Sequence, residues 1–400
     1  MMPFREARAC LLALAHPLPS MHVALDAALG RVLAEDVIAP TDMPPFDGST
    51  MDGYAVAASS VTGETLLRVV GESRAGHVPT PLEPGTTMRI FTGAELPEGA
   101  DAVVLQERVE RMEHWARFAA AVPPGSHLRR RGADLRAGET ALRRGTRLGP
   151  AALGLASSCD RAELSVSRPP VVTVLTTGDE LREPGSRARP GSIPESNGVA
   201  IASLARRAGA EVRARLALPD DQEIIASALR KALASSDLVI TIGGVSVGDH
   251  DLVRFALSDA GATLDFWRVA IKPGKPLAVG RKDHALFLGL PGNPASAMVT
   301  FVLFGVPLLR ALQGDQEPAA EPLRARLAQA FPHEPGRLEF ARARLGRGAG
   351  GLVVTPVANQ ASGAGIGMVV ANALLAVPLE AGALEAGSEV DVYPFAELGL

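Results

Sequence analysis

Val171-Val172-Thr173-Val174-Leu175-Thr176-Thr177-Gly178-Asp179-Glu180 is the stretch on which the fold turns. Its first five residues form a continuous apolar and β-branched run, the pattern of a strand covered on both faces rather than on one. A Gly-Asp-Glu turn closes it. The same arrangement comes twice more. Asp237 to Ile242 is a second buried strand and runs into Gly243-Gly244-Val245-Ser246-Val247-Gly248-Asp249-His250-Asp251. Leu286 to Leu290 is a third and runs into Pro291-Gly292-Asn293-Pro294. Between them lie helical periods at Asn197 to Ala208, capped near Ser196, at Gln222 to Ser235, at His250 to Ala260 and at Ala295 to Leu312, with another strand at Glu211 to Leu218. Strands alternating with helices predict a mostly parallel sheet with helices on both faces.

The flanks read differently. Arg5 to Leu14 and Leu25 to Ala34 carry helical periodicity, Ile38 to Asp47 is a proline-filled loop, and Ala55 to about Val122 alternates short β runs with Gly/Pro turns. Pro150 to Ser158 is helical again, so the β-rich module is expected to be inserted between two pieces of one domain. Pro318 to Pro322 reads as a linker, and the residues beyond it as a small β-barrel or sandwich. The expected fold class is a multidomain α/β protein with a central, mostly parallel sheet.

Charge and cysteine content narrow the function. Forty Lys and Arg oppose 44 Asp and Glu, a net charge of −4. That balance argues against a nucleic-acid binder, which needs clustered cations. Arg129-Arg130-Arg131 is too short a run to alter this and reads equally as a solvated turn or a local anion contact. Cys10 and Cys159, the only two cysteines, have no zinc-type spacing and imply no disulfide framework. The N-terminal apolar stretch has Glu6 before it and prolines after it, unlike a signal peptide. Ala297 to Leu309, bracketed by Pro294 and Pro307, is too short to span a bilayer and reads as a buried helix. No membrane association is expected, and a cytoplasmic location is.

Open parallel sheets bind ligands beyond the carboxyl ends of their strands. The three loops found there carry glycines, which admit phosphate groups to the backbone, and one opens a helix at Asn293-Pro294. Lys272-Pro273-Gly274-Lys275 holds two ammonium groups at a tight turn, with Arg268 just before it. Asp179, Glu180, Asp249 and Asp251 share the loops, and Asp220-Asp221 follow a strand. Some of these acids are expected to be helix caps. Mg²⁺ is held by one or two carboxylates together with substrate phosphates, so carboxylates beside cations suit metal-assisted cleavage of a phosphate ester or anhydride.

Pro44-Pro45-Phe46-Asp47-Gly48-Ser49-Thr50-Met51-Asp52-Gly53-Tyr54-Ala55-Val56 is no generic turn. With Arg89 to Ala94, Leu96 to Val104, Arg129 to Asp134, Thr177 to Leu181, Ser196-Asn197, Gly243 to Asp251, Lys272 to Pro276 and Leu290 to Pro294 in order, the chain resembles the molybdopterin molybdenumtransferases. These are the MoeA-type proteins, which include the corresponding domain of gephyrin. The resemblance implies four domains: domain I from 1–40 with 130–167, for dimerisation; domain II, 41–129; domain III, 168–314, of the molybdopterin-binding type; and domain IV, 315–400. It implies a homodimer whose site lies between domain III of one subunit and domain II of the other. The implied reaction is Mg²⁺-dependent insertion of molybdate into adenylylated molybdopterin with release of AMP.

The resemblance also assigns residues. Asp52, Thr92, Asp134, Glu180, Asp220 and Asp251 are the implied catalytic set, with Asp220 and Asp251 handling the metal. Arg129, Ser196, Asn197, Gly243, Gly244, Ser246, Asp249, Pro291, Gly292 and Asn293 are implied to bind the pterin nucleotide. Arg268, Lys272, Lys275, Arg337, Arg342 and Ser362 are implied to meet molybdate. Implied protein partners are the molybdopterin adenylyltransferase and acceptor molybdoenzymes or their chaperones. The chain departs from the family pattern at Gly48, Thr50 and Ile242. It also does so at Gly365-Ile366-Gly367, where paired serines are common, which leaves the choice between molybdate and tungstate open. The rival readings are a non-catalytic pterin carrier or scaffold and an adenylyltransferase-like enzyme.

Overall fold

The computed structural model describes residues 1–244 and 252–400. The chain divides into two compact units. One holds Met1–Ala34, Gly145–Leu148 and Leu164–Leu400; the other holds Glu35–Arg144 and Gly149–Glu163.

The larger unit is built on a six-stranded sheet. Its order is Glu211–Leu218, Val171–Thr177, Leu238–Ile242, Ala285–Leu290, Pro276–Lys282, Thr263–Arg268. The first four strands are mutually parallel and the last two antiparallel. Successive side chains on a strand point to opposite faces. Accordingly Val172, Val174, Leu238 and Ile240 join one core with the helix Asn197–Arg207. Leu175 and Val239 join the other with the helices Gln222–Leu233 and Leu252–Asp259. Each such aliphatic side chain stabilises the fold by about 1.5–3 kcal/mol relative to exposure. Both faces are therefore committed to packing, and the loops at the strand ends are left for chemistry.

The sheet is pinned at its amino end by Asp237. Its two carboxylate oxygens each accept from Arg168 at 2.7 Å, and one also accepts from the Val171 N–H at 2.7 Å. Burial alone would push this carboxyl up; the Arg168 and Val171 hydrogen bonds prevail and hold it below the usual range. A depressed folded-state pKa means stability that is present at neutral pH and lost as pH falls through that pKa, below about 3.9. Asp237→Ala should cost about 2–3 kcal/mol in denaturant unfolding and flatten the acid limb of the stability profile. A fully buried pair would cost more, but the Arg168 side chain keeps 34% of its surface exposed.

The helix expected over Ala295 to Leu312 forms, with one irregular turn inside it. Pro294–Thr300, a π-helical turn Phe301–Gly305 and Val306–Leu312 run on as one helical stretch. Pro307 sits inside it. A proline removes one i−4 hydrogen bond and crowds the preceding turn, and the wider π turn comes just before it. Pro294–Leu312 is long and apolar enough to cross a membrane by length and composition, so it is not too short for that. It is 83% buried within the fold, as the core helix of a globular domain is. The second expected N-terminal helix is absent. Phe4–Ala13 is helical, but Leu25–Ala27 is a single 3₁₀ turn. Beyond it Gly30 takes a positive φ, and Val32 and Leu33 bridge to Arg147 and Val166. Distant backbone partners have overridden the local period.

The last residues close a five-stranded barrel. Leu338–Gly348 pairs with Gly351–Pro356 and with Ala373–Val377. Leu323–Leu327 and Glu389–Pro394 complete the circuit. Ile271–Lys272 adds to it as a short parallel strand, with Lys272 opposite Glu339.

The smaller unit is β-rich. Its sheet runs Ala102–Leu105, Gly53–Val56, Thr86–Ile90, Thr65–Ser73, Trp115–Phe118, Val109–Met112. Tyr54 and Val56 face one core and Ala55 the other. Its three successive arginines are each matched by a carboxylate: Arg129 by Asp134, Arg130 by Asp47 at 2.6 Å, and Arg131 by Asp42 at 2.6 Å. The run is thus neutralised by its own fold.

Candidate active site

A cavity of about 800 Å³ opens at the carboxyl end of the parallel strands in the larger unit. Its wall includes Thr177, Glu180, Glu195, Asp220, Gly243 and Asn293. Of the residues expected to bind a pterin nucleotide, Ser196, Asn197, Gly243, Gly244, Gly292 and Asn293 line it. Ser246, Asp249 and Asp251 lie outside the described residues.

Positive φ and close neighbours require the two glycines here. Gly243 and Gly244 have φ of +83° and +65°. A Cβ at Gly244 would sit 2.6 Å from Val253 Cγ2 and 3.0 Å from Thr177 Oγ1. Gly244→Ala should therefore lower stability by about 1–3 kcal/mol and distort the cavity floor, read together as a drop in melting temperature and weakened nucleotide binding. Beneath these glycines the Thr177 hydroxyl is buried without a protein partner. A buried polar atom without a partner is costly unless a ligand or water meets it.

Side chains expected to touch substrate also hold the loops. Asn197 Nδ2 donates to the Gly292 carbonyl at 2.7 Å. Ser196 occupies the helix N-cap but its side chain does not cap. The cap comes from buried Glu195, whose Oε1 accepts the Gly198 N–H at 2.5 Å while its Oε2 pairs with Arg215 at 2.6 Å. Asn293 precedes a proline at the first helical position as expected. Its Nδ2 reaches Ser362 Oγ at 3.1 Å, and the Ser362 carbonyl accepts the Ala295 N–H at 3.0 Å. Ser362 thus docks the barrel's loop on this helix start.

Asp220 stands exposed at the cavity rim. Partial desolvation of its carboxyl, then the neighbouring Asp179 carboxylate and further Glu180, push its pKa up against a backbone hydrogen bond from Asp179. Three carboxylates crowd here, with the Asp220 N–H donating to Asp179 Oδ1 at 3.1 Å. Asp221 is a cap, accepting the Ile224 N–H at 2.9 Å. Among the described residues no group of three or more acids, histidines or cysteines could hold a metal by itself.

A second cavity, of about 340 Å³, adjoins the first through Asn293. Lys272, Lys275 and Arg337 line it with Pro291, Ser362 and Gln360. The structure thus gathers four of the six residues expected at molybdate. Two stand apart. Arg268 lines neither cavity; it ends a strand opposite Pro276. Arg342 is fully buried and contributes no free guanidinium. It donates to the carbonyls of Ala364 and Ala361 at 2.9 and 3.1 Å and to Gln360 Oε1 at 3.3 Å. Its placement corrects the expectation: it shapes the loop that carries Ser362. Gly367 lies against this guanidinium, where a Cβ would come within 3.0 Å of Nη1.

In the smaller unit Asp52 Oδ1 accepts from both the backbone N–H and the hydroxyl of Thr92, each at 2.8 Å. Those bonds, backbone first, with Arg89 nearby, hold Asp52 below the usual carboxylate range. Arg129 and Asp134 form an ion pair. The structure therefore joins the four residues in two pairs.

Glu195, Gln360 and Glu339 were not singled out from the sequence, and Thr177 was named only within its strand-end motif. Glu195 carries a local signal, an acid two residues before a helix start. Gln360 and Glu339 become site residues through tertiary contacts.

Comparison with known proteins decides the family. Residues 2–159 match the MoeA N-terminal region (domain I and II), 173–311 a probable molybdopterin binding domain, and 324–395 the MoeA C-terminal region (domain IV). The molybdopterin molybdenumtransferase of Haemophilus influenzae is 37% identical over 403 residues, covering 100% of both chains. The chain belongs to the molybdopterin molybdenumtransferase family. Molybdopterin molybdenumtransferase 2 of Mycobacterium tuberculosis is 37% identical over 93% of this chain and 94% of its own. A solved structure of the molybdopterin biosynthesis MoeA protein from Pyrococcus horikoshii superposes with a TM-score of 0.87 at 30% identity, covering 98% of this chain and 100% of that one. The multidomain α/β fold with a C-terminal barrel is that of the family.

Proposed function

We propose that this chain inserts molybdate into adenylylated molybdopterin and releases AMP. As a member of the molybdopterin molybdenumtransferase family it acts in molybdenum cofactor biosynthesis. One observation carries the finer reading. A glycine- and carboxylate-walled cavity and a cationic cavity share Asn293 as their common wall.

In this reading the larger cavity takes the pterin nucleotide. Gly243, Gly244 and Gly292 let phosphate oxygens approach the backbone, and such an oxygen gives the buried Thr177 hydroxyl the partner the protein does not supply. The smaller cavity takes molybdate as substrate, its negative charge met by Lys272, Lys275 and Arg337 and by the Ser362 hydroxyl. Holding the oxyanion beside the phosphoanhydride requires these cations, because two anions otherwise repel. Asp220, with Glu180 beside it, fits a divalent cation, since an added positive charge relieves the crowding that raises its pKa. Mg²⁺ held there would stabilise charge on the phosphoryl oxygens as AMP leaves. Asp251 belongs to the same proposal.

Homodimerisation, a site completed from a second copy by Asp52, Thr92, Arg129 and Asp134, the four-domain division given above and a cytoplasmic location are further parts of this proposal. So are the adenylyltransferase and acceptor partners. Purified chain incubated with adenylylated molybdopterin, molybdate and Mg²⁺ should release AMP stoichiometrically with molybdenum bound to the dithiolene. Chelation should stop it. Tight substrate binding with no AMP would instead favour the carrier.

A further inference from the structure

Behind the cationic cavity stands a buried carboxylate with no place in the reaction above. Glu339 is 3% exposed, and both its partners meet the same oxygen. Lys272 Nζ lies 3.1 Å from Oε2, and His333 Nδ1 lies 2.9 Å from it. His333 is itself buried, and its Nε2 has no partner. The arrangement follows from backbone register, because the short strand at Lys272 pairs with the barrel strand directly at Glu339. Among the residues lining the cavity, Lys272, Lys275 and Arg337 are the cations and Glu339 is the acid. Glu334 lines the neighbouring outer cavity, of about 310 Å³, which Lys272, Lys275 and Arg337 also reach. Lys275 has no ion pair among the described residues, whereas Lys272 is held.

We propose that Glu339, fixed by His333, is a positioning residue that aims Lys272 and tempers the cation cluster, so that the oxyanion is bound loosely enough to be handed over. The proposal rests on the reading of this cavity as the molybdate site. Three uncompensated cations would bind a dianion tightly before reaction, and tight ground-state binding adds nothing to the chemical step. One fixed carboxylate behind the cluster weakens that hold without removing any donor. Lys272 gains a defined direction from the same contact.

Glu339→Gln isolates the charge. An amide oxygen in place of Oε2 has two lone pairs and can accept from both Lys272 and His333. Packing and donors persist and only the negative charge goes; an unchanged melting temperature checks this. Binding of molybdate and of perrhenate, tetrahedral oxyanions of charge two and one, is then measured calorimetrically on the full chain. For charges roughly 6 Å apart, loss of the carboxylate should lower the perrhenate Kd at least about threefold and the molybdate Kd at least about tenfold, the limits set by the dielectric constant of bulk water. The logarithmic gain for the dianion is twice that for the monoanion because the energy scales with charge. Weaker binding, no change, or equal gains for both anions would overturn the proposal, because a merely structural role does not count charges. Lys275→Ala separates the two levels of the argument. If it binds molybdate as well as the unaltered chain does, the oxyanion reading of the cavity fails and the role of Glu339 falls with it. If Lys275→Ala weakens binding and Glu339→Gln does not tighten it, only the role of Glu339 fails.

Discussion

Lys275→Ala is expected to lower the rate of molybdenum insertion roughly 100- to 1,000-fold, the range found when one preorganised charge stabiliser is removed from an active site. The residue lines the cationic cavity and the outer opening, and no carboxylate among the described residues neutralises it. Its charge is therefore available to the oxyanion. Lys272 shares part of its charge with Glu339, so Lys275 should be the more sensitive of the two. The side chain stands at a Pro-Gly turn and is not packed in a core, so melting temperature should stay unchanged. Molybdenum content and AMP release, measured over a range of molybdate concentrations, would show a raised KM for molybdate and an unaltered KM for the nucleotide. Near-normal insertion at every concentration would remove molybdate from this cavity.

Asp220→Ala should cut AMP release by at least about 100-fold, because the reading gives it the role of holding the cation that offsets phosphoryl charge. Its stability effect should have the opposite sign. The Asp220 carboxyl is crowded by Asp179 and Glu180, so removing it relieves repulsion. The unfolding free energy should hold or rise by about 0–1 kcal/mol, the scale of exposed charge interactions. A residue whose loss helps folding while abolishing turnover is retained for chemistry. Asp220→Asn keeps the shape and removes the charge, and should match the alanine variant in activity. If either variant releases AMP at the normal rate, the metal is held elsewhere.

Local pattern made the α/β core legible. The apolar run at Val171 to Leu175 and its counterparts at Leu238 and Leu286 allow only doubly covered strands, and the structure puts all three side by side and parallel. Their loops were legible as well, because glycine, Asn-Pro and clustered acids at strand ends have few other uses. The pattern failed at Leu25 to Ala34, where helical spacing yielded to distant backbone bridges. At Ala295 to Leu312 the expected helix formed, but its pattern did not announce the π turn at Phe301–Gly305.

What the sequence by itself determined about this protein is the set of chemical groups: parallel strands ending in glycine loops, two lysines on a tight turn, and carboxylates beside them. Periodicity and composition act over neighbouring residues, so such features can be read directly from the chain. Only the tertiary structure decided which groups meet. It turned Arg342 into a buried prop for the loop bearing Ser362, and left Arg268 outside both cavities. It matched the three consecutive arginines with three aspartates, and set Lys272 opposite Glu339 and His333. Most of these outcomes depend on tertiary pairing between distant segments, as when Lys272 meets Glu339, 67 positions away, and Arg131 meets Asp42, 89 positions away. No local sequence signal encodes which of several equivalent charges will be buried together.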